Sequence, residues 1–126
     1  MTQVPTAATD AATTALEELV AAIDECVRQL QGARTRAEEL LAARADGRSW
    51  LEIVSAESRP LVVESISAVL STLARAGSAF RREQAYALQG ERVSINRIAA
   101  LFGVTRQRIS ALLRERAEDA DTRSTT

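Results

Sequence analysis

The 126-residue chain contains no histidine and no lysine, one cysteine, two prolines and four aromatic residues. Without histidine, imidazole acid–base chemistry is excluded. With Cys26 alone, neither a disulfide framework within the chain nor an ordinary zinc site can form. No nucleophile–base pair, metal-ligand cluster or glycine-rich phosphate loop is present, so the expectation is a protein that is not an enzyme and needs no cofactor. No apolar run approaches the ~20 residues that cross a bilayer, and no signal peptide opens the sequence. A cytoplasmic location without membrane association is therefore expected. All 16 basic residues are arginine, which together with abundant alanine matches the codon usage of a GC-rich bacterial genome.

What the chain does have is apolar residues, at 46%, enough to argue against global disorder and for one domain, or one domain plus an extension. The net charge of −1 is unevenly distributed. Residues 1–79 carry seven Arg against eleven acids, and residues 117–126 carry one Arg against three. Residues 80–116 carry eight Arg against three acids, a local surplus of five positive charges. A polyanion would be met by that segment.

The basic segment contains the most informative pattern, residues 94–114. Ser94 is placed to cap a short helix whose apolar residues Ile95, Ile98, Ala99 and Phe102 recur at helical spacing. Gly103 follows where a turn requires positive φ, Val104 anchors the turn, and Thr105 is placed to cap a second helix. That helix would bury Ile109, Leu112 and Leu113, with small Ala99 at the close approach of the two helices. The coincidence of these requirements predicts a helix-turn-helix, although a purely structural helix–Gly–helix corner shares part of the pattern. With Ile109 and Leu112 inward, Gln107, Ser110, Ala111 and Arg114 face outward and Arg106 flanks them, with no carboxylate until Glu115.

Upstream, residues 1–13 are Thr/Ala-rich and expected to be a disordered tail, with Thr14 and Glu17 spaced as a capping box that opens a helix over 14–45. Its apolar residues fit a heptad frame: Leu16, Ile23, Leu30 and Ala37 at a, Leu19, Cys26, Ala33 and Leu40 at d, Val20, Val27 and Leu41 at e. A stripe this wide suits a bundle helix better than a two-stranded coiled coil. Gly32 is a candidate bend, and Asp46-Gly47 a stop. Ser49 caps a short helix bearing Ile53, Val54 and Trp50, the indole being expected in the core. A further helix is predicted from Pro60, in its first turn, to Gly77-Ser78, and another from there to Gln89-Gly90. Residues 79–89, 94–102 and 105–116 would then form a three-helix unit. Residues 117–126, acidic and without a stripe, read as a disordered tail, which leaves no hairpin for a wing.

The run Phe102-Gly-Val-Thr-Arg-Gln-Arg-Ile-Ser-Ala-Leu-Leu113 resembles the helix-turn-helix of small bacterial, actinobacterial-type DNA-binding regulators. It is also similar to the last domain of bacterial sigma factors and to the DNA-binding module of Hin-type recombinases. The resemblance covers about residues 79–116 and implies that Arg106 and Gln107, then Ser110 and Ala111, face DNA. The last pair departs from the Arg-Gln often found there, and neither the other parts of a sigma factor nor a recombinase catalytic domain is present.

The expected architecture is therefore all-α: a long N-terminal helix or helix pair, then a helical bundle ending in a wingless tri-helical helix-turn-helix. The expected divisions are 1–13 as tail, 14–77 as helical dimerisation or interaction region, 78–116 as DNA-binding domain and 117–126 as acidic tail. The expected function is sequence-specific double-stranded DNA binding by a homodimeric transcriptional regulator, located at the nucleoid. Base contacts fall to Arg106, Gln107, Ser110, Ala111 and Arg114. Phosphate contacts fall to Thr105, Arg108, Arg97, Arg81, Arg82, Arg92 and Ser94. Dimerisation falls to Leu16, Leu19, Ile23, Cys26, Leu30 and Leu40. The alternatives are a protein-interaction module for RNA polymerase, a sigma factor or another regulator, and a non-specific nucleoid-associated binder.

Overall fold

Helix formation begins one turn earlier than Thr14. Asp10 accepts the Thr13 backbone N–H at 2.7 Å, and its hydrogen bonding with Thr13 holds the carboxyl below the usual carboxylate range. The computed structural model describes residues 10–124, which form five helices and no strand. They are α1 (Ala11–Ala45), α2 (Trp50–Ala56), α3 (Val62–Gly90), α4 (Ile95–Phe102) and α5 (Arg106–Ser124). No helix among the described residues is long and apolar enough to cross a membrane. Residues 10–13 thus belong to α1 and its cap, not to a tail; the rest of the expected N-terminal tail lies outside the described residues.

Further boundaries differ from expectation. α1 runs unbroken through Gly32, and α3 runs unbroken through Gly77-Ser78, where a stop was expected. Neither glycine takes positive φ, so one unfavourable residue of about 1 kcal/mol is absorbed by a long helix. α3 begins at Val62, so Pro60 precedes its first turn. α3 ends at Gly90, where Gln89-Gly90 was expected to close it, and Arg92 at φ 69° makes the turn that follows. The segment from residue 117 to Ser124, expected as a disordered tail, continues α5. Arg82 explains part of this, since its guanidinium reaches Asp119 at 3.4 Å and Glu115 at 4.0 Å.

The described residues form two compact units. The terminal unit comprises residues 10–19 and 76–124, and the middle unit residues 20–75. The terminal unit has a closed core of Ala85, Ile98, Ala99, Ile109 and Leu112, lined by Leu88, Val93, Phe102 and Leu113. In the middle unit α1 and α3 are antiparallel: the Cys26 thiol lies 3.7 Å from the Val69 carbonyl, while Arg36, farther along α1, reaches back to Ser65 at 3.4 Å. Cys26, Ala33, Ile53 and Val69 are its buried apolar residues. Ser49 caps α2 in a reciprocal capping box with Glu52, whose carboxyl is held below its ordinary value by the Ser49 backbone N–H. Trp50 is not in the core: it is 55% exposed, with the Arg44 guanidinium 5.6 Å above its ring.

Candidate nucleic-acid interface

The site is built on α4, the turn after it and the first turns of α5. The Ser94 hydroxyl accepts the Arg97 N–H at 3.1 Å, starting α4. Gly103 ends it at φ 68°, ψ 33°, a left-handed conformation that any side chain would strain. Thr105 then caps α5 by accepting the Arg108 N–H at 3.1 Å. Ile109 and Leu112 are fully buried against α4 and α3, which fixes the rotation of α5 about its axis.

With that rotation fixed, the other side of α5 is set. Arg106, Gln107, Ser110 and Arg114 line one open concavity of about 340 Å³. Arg106, Gln107 and Arg114 are exposed, and Ser110 and Ala111 are half-buried. Neither Arg106 nor Arg114 is in an ion pair among the described residues. Two cationic forks and one amide are thus free to hydrogen-bond outward, and the α5 N-terminus adds the positive end of a helix dipole. Such donors suit phosphate oxygens and the acceptor edges of purines.

The residues expected at phosphates are not equivalent. Arg97 and Arg92 are exposed, and neither is in an ion pair among the described residues. Arg81 is exposed and lies over the Phe102 ring at 4.4 Å, so its guanidinium has a defined place beside the C-terminal end of α4. Arg108 is 3.8 Å from Glu115. Arg82 is only 22% exposed and is engaged by Glu115 and Asp119. Within the unit, Arg82 thus faces two carboxylates and is less open to solvent than the other arginines expected at phosphates. Thr105 and Ser94 spend their hydroxyl oxygens as caps, leaving each O–H proton to donate.

Sequence reading missed Glu115 as the residue that competes for Arg108. The signal was present, since positions 108 and 115 are two helical turns apart and share a face. It also missed the lock between α3 and α5 formed by Arg116, which bonds Glu83 at 3.3 Å and stacks on Tyr86 at 3.7 Å. These partners are more than 25 residues apart, and no local pattern pairs them.

The residues expected to dimerise divide between two faces. Leu16, Ile23 and Leu30 are exposed at 42–44%. Leu19 and Leu40 are half-buried, and Cys26 is buried against Val69 within the chain. No family model, curated protein or solved structure matches this chain.

Proposed function

We propose that the chain is a sequence-specific double-stranded DNA-binding regulator that acts as a homodimer, with α4 and α5 as a wingless helix-turn-helix and α5 as the recognition helix. One observation carries this reading: Arg106, Gln107, Ser110 and Arg114 converge on one open face of a helix whose opposite side buries Ile109 and Leu112. In the major groove, Arg106 and Arg114 pair with guanine O6 and N7, and Gln107 pairs with adenine N6 and N7. Ala111 and Ser110 sit close enough to the helix axis to admit the base edges. Arg97, Arg92 and Arg81 neutralise flanking phosphates, and the α5 N-terminus contributes backbone N–H groups. One such unit reads few base pairs, so two copies at half-sites about 34 Å apart supply the specificity.

The test is selection of bound fragments from random duplex DNA by the full chain. An enriched half-site, lost in Arg106→Ala while the circular dichroism spectrum stays unchanged, supports the reading. Equal recovery of all sequences would support the non-specific, nucleoid-type alternative, with a salt slope and no base preference.

A second reading is favoured by exposed apolar residues on α2: Trp50, Leu51 and Val54 are 55, 78 and 57% exposed. They suit a protein partner such as RNA polymerase or a sigma factor, with the basic unit assisting. Loss of a co-purifying polymerase subunit in Leu51→Glu would favour it.

A further inference from the structure

The proposed function requires two copies, and the middle unit contains a face suited to join them. α1 exposes Val20, Ile23, Val27 and Leu30 at 52, 43, 47 and 42%. α3 exposes Val63 and Leu70 at 72 and 59%. Each set flanks the line of residues buried between the two helices, Cys26 and Ala33 on α1 and Val69 on α3.

The two sets lie on the same side of the helix pair. At ~100° per residue, the α1 stripe lies roughly 40–120° ahead of the buried line in the direction of chain rotation. Val63 and Leu70 each directly follow an inward residue, Val62 and Val69, and so lie about 100° ahead of it. α1 and α3 are antiparallel, so viewed from one end they turn in opposite senses. Equal advances on facing helices therefore bring both stripes to one common surface.

That surface has no charge at its centre. Ser65 to Ala74 of α3 includes no ionisable side chain, and the α1 stripe has none between Val20 and Leu30. Asp24 and Glu25 lie off the stripe, and Glu25 is occupied by Arg28 at 2.5 Å. The six residues expose on the order of 600 Å² of apolar surface, approaching the ~800 Å² per partner of a standard stable interface. The stripe ends one turn beyond Leu30 at Arg34, which pairs with Glu38 at 3.6 Å. An interface between identical copies on a two-fold axis must be complementary to itself, and the apolar part of this face between Val20 and Leu30 meets that condition with no like charges opposed.

We infer that the Val20/Ile23/Val27/Leu30 stripe of α1 and the Val63/Leu70 edge of α3 dock on the same face of a second copy of this chain, forming a four-helix bundle from two antiparallel pairs. This rests on the two-copy requirement of the DNA reading for its purpose, but its test needs no DNA. Sedimentation velocity of the full chain at micromolar concentration is expected to give a species of twice the chain mass. Ile23→Glu and Leu70→Glu are each expected to raise the dissociation constant at least ~100-fold, because a two-fold axis buries two carboxylates at once. Leu51→Glu, off this face, is expected to leave it within about threefold of the unmodified chain. Leu70→Ser, at an already exposed position, serves if a charged variant loses helix content; it is expected to weaken pairing at least about tenfold.

A monomer at all concentrations, or undiminished pairing in the face variants, would overturn the inference, as would a stable complex with a different protein on this face in place of self-association. A monomer that still selects DNA through Arg106 would refute the interface alone. A dimer without DNA selectivity would refute the DNA reading alone.

Discussion

The two units of this chain use apolar residues in opposite ways. The terminal unit closes its core: Ile98, Ile109 and Leu112 are no more than 1% exposed. The middle unit buries Cys26, Ala33, Ile53 and Val69, two of them small, yet it holds ten of the fourteen large apolar residues exposed among the described residues. A 56-residue segment with so little interior cannot offset much conformational entropy by itself. The contrast separates a unit whose apolar residues are covered within one chain from a unit that leaves most of its large apolar residues at the surface. It also explains why the polar display on α5 is well defined, because a display is only as fixed as the packing behind it.

The largest expected effect breaks the closed unit. Ile109→Ala should lower unfolding free energy by about 3 kcal/mol and abolish DNA selectivity, measured by urea denaturation and fluorescence anisotropy. Leu51→Ala in the open unit should change stability by less than about 0.5 kcal/mol. Equal losses at the two positions would remove the contrast. A smaller effect is expected at Gly103, where alanine must adopt φ 68°; the loss should be about 1–2 kcal/mol by thermal denaturation. Smaller still, and of opposite sign, are Gly32→Ala and Gly77→Ala. A Cβ at either position meets nothing within 4 Å, and each should stabilise the chain by up to about 1 kcal/mol.

The all-helical fold and the α4–turn–α5 segment were legible because their signals are local. Ser94, Gly103 and Thr105 each perform a capping or turning role that residue type and spacing dictate, and Ile98, Ile109 and Leu112 follow the helical period into the core. The end of α5 was not legible, because its acidic residues look like a solvated tail until Arg82, 37 residues upstream, is brought to Asp119. The continuity of α3 was hidden by Gly77-Ser78, a pair that signals a stop only when the surrounding helix is weak. Trp50 misled because its size suggests burial, whereas Arg44 covers one face of it at the surface. The heptad frame on α1 was visible, but a frame gives faces and not partners: the d residues Cys26 and Ala33 are buried within the chain, while Leu16, Ile23 and Leu30 at a and Val20, Val27 and Leu41 at e remain exposed. Within the candidate site, Arg106, Gln107, Ser110 and Arg114 were identifiable as neighbours from the 3.6-residue period, and the two carboxylates that face Arg82 were not.

The DNA reading stands or falls on whether the outward face of α5 discriminates bases. The most direct measurement is the ratio of affinities for a selected half-site and for the same site with one adenine replaced, for the unmodified chain and for Gln107→Ala at one fixed salt concentration. Gln107→Ala is expected to lose about 1–3 kcal/mol of discrimination at one base position while affinity for unrelated duplex DNA is kept. An unchanged ratio, or the absence of DNA binding by the unmodified chain even at low salt, would contradict it.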